Sequence, residues 1–258
     1  MSKPKHPKIY SKNQIKKIKE SGRLVAEVLS IATALCEEGM TTFAIDTVIS
    51  EFIKKNKAKS VKGYNDYKFN CCISIDEVIL HGLPSIATTM EKGMIVHIDC
   101  PIHYKGMWAD AAVNVEIGEV DEEKKKLNRV AFECLMDTIK IIKPGITIGE
   151  ICKFQEDFAK EHGYKVIKTF RGHGVGRELH EPPYIPYFYD ETNPYNDYKL
   201  KEGNVLALEP TLVTNEELEL LSNNWSYKTV DNSFGTSWEH TVLVTSDGSE
   251  ILTKLRMK

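Results

Sequence analysis

The sequence predicts one α+β domain made of two related halves, with strands at its centre and helices outside. The first observation is an internal echo at a shift of 106 residues, which aligns 19–54 with 125–160 and matches nine of 36 positions. Chance would give roughly two matches at ordinary amino-acid usage. The second observation is an echo at a shift of 110 residues, between Gly93–Asp99 and Gly203–Glu209. Each half is therefore predicted to contain two helices followed by strands.

The helices of the first half have local start and stop signals. Ser11 and Gln14 form a capping box of the S-x-x-Q type, and apolar residues recur at helical spacing from Ile15 onward. Gly39 is expected to end this first helix, because glycine often follows a helix C-terminus. A second helix is predicted over 45–53, where apolar residues fall at i, i+3, i+4, i+7 and i+8.

Strands are predicted after the first helix pair. Alternating and β-branched residues dominate 78–80, 94–98 and 111–117. The predicted organisation is a basic N-terminal tail over 1–10, a single domain over 11–252 and a C-terminal tail over 253–258. The two halves of the domain are expected at about 11–118 and 119–252.

Composition excludes several classes of protein. Lys and Arg number 34 and Asp and Glu 37, so the net charge of −3 argues against sequence-specific nucleic-acid binding. A hydrophobic fraction of 41% argues against disorder, and the lack of an 18-residue apolar run argues against a membrane span. At 258 residues, the chain does not need a metal in order to fold, so a bound metal is expected to serve function.

Cysteine spacing and the N-terminus indicate the compartment. None of the six cysteines forms a C-x-x-C pair, which argues against a zinc finger and a disulfide framework. Seven lysines occur in residues 1–19 without a following apolar segment, so no signal peptide is expected. These features predict a cytoplasmic protein.

Four carboxylates occur in matched positions of the two halves. The echo aligns Asp99 with Glu209, each six residues after a glycine at the end of an apolar strand. A second acid follows in each half, Asp110 and Glu239. Carboxylates buried together need compensating cations, and two divalent ions use four acids better than one does. The pattern therefore predicts a dinuclear metal site.

Three histidines occur in contexts that suit such a site. His81 stands in His-Gly-Leu-Pro, and His173 and His180 lie seven residues apart in a segment rich in glycine. Imidazole is the common nitrogen ligand of metals in proteins, and glycine permits close backbone approach to a site.

In these residues and their spacing, the chain resembles the type I methionine aminopeptidases of the pita-bread metallopeptidase family. The resemblance covers about 10–252 and implies the pita-bread fold, with two pseudo-symmetric halves, a central antiparallel sheet and outer helices. It implies five metal ligands, namely Asp99, Asp110, His173, Glu209 and Glu239. Only 28 residues separate His180 from Glu209, which is typical of type I rather than type II.

The resemblance also implies a reaction and roles for the residues. Two divalent ions (Co, Mn, Fe or Zn) would activate water to remove the N-terminal methionine of nascent proteins, with a preference for a small second residue. Glu209 would accept a proton as well as bind metal, His180 would stabilise the oxyanion, and His81 would contact the leaving amide nitrogen. The methionine pocket would be formed by Tyr64, Tyr67, Cys72 and Trp225, with departures from the family pattern at Val61 and Leu179.

The N-terminus and the apolar pattern suggest which partners the chain has. The basic N-terminus suggests contact with the ribosome, the lack of heptads or a spare apolar stripe suggests a monomer, and no membrane partner is expected. Two alternatives stay open: an X-Pro aminopeptidase or dipeptidase on the same fold, and a catalytically inactive binding module. The pair Arg171-Gly172 and a tyrosine-rich segment over 184–198 depart from the family and have no assigned role.

Overall fold

Two pairs of helices repeat the spacing of the internal echo. The computed structural model describes residues 6–255. Its helices are α1 Lys12–Leu35, α2 Thr42–Lys55, α3 Glu122–Ile141 and α4 Ile148–Glu161. The ends of α1 and α3 and both ends of α2 and α4 differ by 106 residues, which is the shift of the sequence echo. The predicted duplication is therefore present in the helices.

Caps explain where these helices start. Ser11 and Gln14 form the predicted capping box at the start of α1. Thr41 and Thr147, again 106 residues apart, cap α2 and α4 with their side-chain oxygens. The prediction that Gly39 ends α1 was wrong, because the backbone becomes extended at Cys36. Gly39 instead lies in the following turn with a φ of 88°, which glycine adopts without strain.

The strands between and after the helix pairs are short and antiparallel. Their bounds are β1 Cys72–Ile75, β2 Val78–Leu80, β3 Ile95–Asp99, β4 Ile102–Tyr104, β5 Met107–Ala109, β6 Ala112–Glu116, β7 Lys165–Val166, β8 Arg171–Gly174, β9 Glu181–Pro186, β10 Val205–Leu208, β11 Thr211–Val213, β12 Leu218–Leu220, β13 Tyr227–Thr229, β14 Gly235–Ser237, β15 His240–Val244 and β16 Ser249–Ile251. The three strands predicted in the first half correspond to β2, β3 and β6, within one residue at each end.

Equivalent strand triplets form the centre of the two halves. One sheet has the order β1-β3-β6, and the other has the order β16-β15-β10-β8-β9, which contains the equivalent triplet β8-β10-β15. An antiparallel bridge between Ala112 and Glu239 joins the two sheets. The α+β fold with central antiparallel strands and outer helices is thus confirmed, and the two sheets meet where both halves contribute acids.

Each half has its own hydrophobic core under its helix pair. Leu29 and Ile45 of the first core occupy the same repeat positions as Leu135 and Ile151 of the second, and all four are fully buried. Burying one such side chain contributes roughly 1.5–3 kcal/mol. The cores hold the helices against the outer faces of the sheets and leave the junction of the sheets to polar side chains.

The N-terminal segment contacts the domain before the first helix begins. The backbone amide of Tyr10 donates to the Gly203 carbonyl at 2.9 Å, and Asn204 donates to the Lys8 carbonyl at 2.6 Å. Residues 1–5 of the predicted basic tail and 256–258 of the predicted C-terminal tail lie outside the described residues. Within 6–255, no helix combines the length and the apolar character needed to cross a bilayer.

Candidate metal centre and substrate cleft

A cavity of about 350 Å³ lies where the two sheets meet. Its walls include every metal ligand that the sequence predicts and both predicted substrate histidines, which are Asp99, Asp110, His173, Glu209, Glu239, His81 and His180. Residues that are up to 158 positions apart in the chain thus face one space.

Strand ends position the four carboxylates. Asp99 is the last residue of β3 and pairs in register with Ala112, the residue bridged to Glu239. Glu209 follows β10 directly, and Asp110 comes just after β5. Apolar residues inside each strand are buried in the cores, so the acid at each strand end is carried to the junction.

Two residues that the sequence analysis missed hold these acids in place. The hydroxyl of Thr241 accepts from the Asp110 amide at 2.8 Å and donates to the Asp110 carbonyl at 2.7 Å, so it ties β15 to the other half. The hydroxyl of Tyr187 donates to Oε2 of Glu209 at 3.0 Å. Tyr187 belongs to the tyrosine-rich segment noted in the sequence, but no local pattern marked its role.

The donor atoms converge as a cation site requires. One ligand atom from each of Asp110, His173 and Glu239 lies within 4.8 Å of the others. Nε2 of His173 lies 3.5 Å from Oε1 of Glu209. Three buried carboxylate oxygens of this cavity have no hydrogen-bond partner among residues 6–255: Oδ1 of Asp99, Oδ1 of Asp110 and Oε1 of Glu239. Unpaired buried carboxylates are costly, so the residues present fit divalent cations.

The pKa values of the four acids also indicate a cation site. Burial raises the pKa of Asp99 to about 6 and that of Glu209 to about 8. The pKa values of Asp110 and Glu239 are raised well above their usual range, by burial first and then by the neighbouring carboxylates. These acids resist ionising together without cations, and a bound metal would favour their charged forms.

His173 is prepared to act as a neutral ligand. Burial, followed by the nearby His180, lowers the pKa of His173 to about 3. Its Nδ1 lies 3.0 Å from the Gly174 carbonyl, which can only accept, so Nδ1 carries the proton. Nε2 therefore presents a free lone pair towards Glu209 and the cavity.

His180 and His81 occupy different parts of the cavity. The His180 ring centroid lies 4.4 Å from that of His173, and its Nδ1 lies 3.3 Å from the Tyr64 hydroxyl. The His81 ring packs edge-on against Phe170 at 5.1 Å, and burial lowers the pKa of His81 to about 4. Partial desolvation of the ring also lowers the pKa of His180, so both imidazoles are neutral near pH 7.

The backbone at His81 is strained and held by its neighbours. His81 has a φ of 56°, in the left-handed region that side chains other than glycine seldom adopt. Ser226 donates to the His81 carbonyl at 3.0 Å, and the amide of Gly82 donates to Ser74 at 3.0 Å. A Cβ at Gly82 would overlap the carbonyl of Ile73, so this close approach requires glycine. Such strain is typical of positions kept for function.

An apolar cluster adjoins the metal centre. It brings together all six residues predicted for the methionine pocket, which are Val61, Tyr64, Tyr67, Cys72, Leu179 and Trp225. Tyr67 and Trp225 form an edge-on ring pair with centroids 5.0 Å apart. Phe69, Leu83 and Trp108 also belong to the cluster and were missed, because their spacing in the sequence has no pattern.

Comparisons with known proteins agree with this geometry. Residues 16–246 match the family model described as "Metallopeptidase family M24". The chain is 34% identical to the methionine aminopeptidase of Aquifex aeolicus, over 96% of this chain and 98% of that protein. It is 33% identical to the methionine aminopeptidase of Clostridium acetobutylicum, over 95% of this chain and 98% of that protein.

Solved structures give the same result. The methionine aminopeptidase of Thermotoga maritima superposes with a TM-score of 0.93 at 37% identity, covering 96% of this chain and 100% of that one. The prolidase of Pyrococcus furiosus superposes with a TM-score of 0.77 at 24% identity, covering 96% of this chain and 66% of that one. The second likeness concerns the fold alone.

Proposed function

The chain belongs to metallopeptidase family M24, and on that basis we propose that it is a type I methionine aminopeptidase. It removes the N-terminal methionine of nascent proteins by metal-dependent hydrolysis. The observation that carries this function is a cavity lined by carboxylates and imidazoles beside an apolar cluster. The cavity is proposed to supply the chemistry, and the apolar cluster is proposed to supply the specificity.

The proposed metal complement is two divalent ions held by Asp99, Asp110, His173, Glu209 and Glu239. Four carboxylates and three oxygens without hydrogen-bond partners among the described residues support two ions rather than one. Oxygen donors with a single imidazole suit Mn, Fe, Co or Zn. When bound, such ions polarise the scissile carbonyl and lower the pKa of a water molecule from 15.7 towards ~7.

Residues beside the metals would carry the proton transfers. Glu209, held by Tyr187, is the proposed proton acceptor. The Tyr64 hydroxyl can donate to Nδ1 of His180, which leaves Nε2–H of the neutral imidazole as the donor to the developing oxyanion. His81 is proposed to contact the amide nitrogen that leaves with the product.

The substrate is proposed to be an N-terminal methionine followed by a small residue. The apolar cluster would take the methionine side chain, and the free α-amine would approach the carboxylate cavity. Phe170 and Tyr227 pack edge-on against His81, the residue proposed to contact the scissile amide nitrogen, and this supports the preference for a small second residue.

The cellular context is also part of the proposal. We expect a monomer in the cytoplasm that meets nascent chains at the ribosome through its lysine-rich N-terminus. All six cysteines are free thiols, and five of them are buried, which suits a reducing compartment.

Metal titration into the metal-free protein tests the function. We expect hydrolysis of Met-Ala-Ser to return with added Mn, Fe, Co or Zn and to saturate near two equivalents, while Ala-Pro peptides stay intact. Preferential hydrolysis of Ala-Pro peptides would instead identify an X-Pro peptidase. Peptide binding without hydrolysis at any metal would identify a binding module.

A further inference from the structure

One wall of the metal cavity contains an arginine that forms no ion pair with any of residues 6–255. Arg171, on β8, lines this cavity together with Tyr184 and Phe170. Val61, Tyr67, Cys72 and Leu179 of the methionine pocket are not among the lining residues of this cavity. Arg171 therefore faces the part of the cleft that the methionine side chain does not fill.

The strand geometry places Arg171 two residues from the metal centre. Arg171 and His173 are two residues apart on β8, so their side chains lie on the same face of the strand. Their Cα atoms are about 7 Å apart. Tyr184 is the register partner of His173 on β9. The guanidinium carbon of Arg171 lies 5.2 Å from the centroid of the Tyr184 ring. This cation–π contact holds the arginine over the cleft.

The guanidinium is available to bind an incoming anion. Among residues 6–255, no carboxylate lies within 4.0 Å of it. The acid that it influences is Asp190, whose pKa is lowered first by Thr192 and last by Arg171. The Asp190 carboxylate is engaged by the amide and hydroxyl of Thr192, at 2.8 and 2.7 Å. The planar donor fork of Arg171 is thus left for a carboxylate of another molecule.

The direction in which the substrate enters indicates which of its residues would lie beside Arg171. With the methionine side chain in the apolar cluster and the scissile carbonyl at the metals, the following residues must pass along the wall that contains Arg171. An extended residue spans about 3.3–3.6 Å, so about 7 Å corresponds to two residues beyond the cleavage point. That position is the third residue of the substrate.

We propose that Arg171, held by Tyr184, binds a carboxylate at the third residue of the substrate. The carboxylate comes from an Asp or Glu side chain or from the C-terminus of a tripeptide. This inference rests on the proposed function, because it uses the direction in which an N-terminal methionine would enter.

Matched peptides and variants of the metal-loaded enzyme test the proposal. The first set is Met-Ala-Glu-Ser-amide, Met-Ala-Gln-Ser-amide and Met-Ala-Lys-Ser-amide, and the second is Met-Ala-Ser against its amide. We expect kcat/KM for the Glu peptide to exceed that for the isosteric Gln peptide by about 3- to 20-fold, and the Lys peptide to be the poorest. The difference should lie mainly in KM and shrink at 1 M salt. The free tripeptide should exceed its amide similarly if a C-terminal carboxylate is also accepted.

Two variants separate the subsite from general charge effects. Arg171→Gln should bring the Glu/Gln ratio close to one, whereas Arg171→Lys should keep part of it, because lysine retains the charge without the planar fork. Arg129→Gln, on the exposed face of α3, removes the same charge far from the cleft and should keep the wild-type ratio. Metal content is measured in each variant to exclude metal loss.

The possible failures are distinguishable. Wild-type enzyme that cleaves the Gln peptide but shows equal kcat/KM for the Glu and Lys peptides overturns the subsite and leaves the proposed function intact. A Glu/Gln ratio that persists in Arg171→Gln assigns the selectivity to other residues and also overturns it. Wild-type enzyme that cleaves none of the peptides with any metal overturns the proposed function itself.

Discussion

At the scale of single residues, the two histidines of the glycine-rich segment face the same cavity but differ in their surroundings. His173 is buried, and its Nε2 points towards Glu209, which suits a metal ligand. His180 is exposed at the cavity edge and contacts Tyr64 instead. The two imidazoles are thus only seven residues apart in the chain, yet one is buried and the other is exposed to solvent.

This difference predicts separable effects of substitution. His180→Ala should lower kcat by on the order of 10² to 10³, as loss of one oxyanion donor does, with little change in metal content. His173→Ala should lower metal content itself. Metal analysis of both purified variants, together with kcat on Met-Ala-Ser, checks the assignment. The opposite pattern, with metal lost only from His180→Ala, would reverse the two roles.

At the scale of elements, the N-terminal segment forms hydrogen bonds with the loop that contains Leu179 and His180. The hydroxyl of Tyr10 accepts from the Arg177 amide at 2.9 Å and donates to Oε1 of Glu181, the residue after His180. A Cβ at Gly176 would overlap the Tyr10 ring, so glycine allows this close packing. Burial raises the pKa of Glu181, and the hydrogen bond from Tyr10 opposes that rise.

We predict that Tyr10→Phe destabilises this loop, because both hydrogen bonds use the Tyr10 hydroxyl. Loss of the hydroxyl leaves a buried carboxyl without its donor, which costs about 1–3 kcal/mol in the free energy of unfolding. Because Glu181 adjoins His180, kcat should also fall, whereas metal content should not. The control is Tyr189→Phe, since Tyr189 is exposed and its hydroxyl lies outside this loop. Urea unfolding and kcat are measured for both, and wild-type values in Tyr10→Phe would show that the contact does not matter.

At the scale of the whole molecule, the candidate metal centre lies where the two halves meet. Asp99 and Asp110 come from the first half, and Glu209 and Glu239 come from the second. Without cations, ionising these acids sets like charges against each other across the junction. Metal ions would therefore stabilise the docking of the halves as well as supply the chemistry.

This arrangement predicts an unusual pH dependence of the metal-free protein. Unfolded Asp and Glu titrate near pH ~4, whereas the folded pKa is about 6 for Asp99 and about 8 for Glu209. Between these values the folded state binds more protons than the unfolded state. With respect to these groups, the free energy of unfolding should therefore be highest below pH ~4 and should fall by several kcal/mol as pH rises towards 8, because each unit of pKa difference is worth about 1.4 kcal/mol.

Urea unfolding in the presence of a chelator at pH 5, 6, 7 and 8 measures this slope. Glu209→Gln removes one of the titrating acids and should flatten it, and added metal should reverse it, because metal binds the ionised carboxylates. A free energy of unfolding that is constant or rises between pH 5 and 8 in the metal-free wild type would contradict the prediction.

The sequence by itself determined the features that local patterns encode. The capping box at Ser11, the two helix pairs and the duplication at a shift of 106 residues all depend on spacings of a few residues or on repetition of such spacings. The acids at the ends of apolar strands also followed from local pattern and repeat, because a buried strand carries its terminal residue to the edge of the core.

Only the tertiary structure decided which distant side chains support the site. Thr241 contacts Asp110 across 131 residues, Tyr187 contacts Glu209, and Tyr10 contacts Glu181 across 171 residues. Each is a single hydroxyl with an ordinary neighbourhood in the chain, so no periodicity or motif marks it. The same holds for Arg171, whose position over Tyr184 depends on the pairing of β8 with β9. Capping and apolar periodicity act between neighbouring residues and therefore specify the helices and strands. The contacts of these side chains form only when the two halves have packed together.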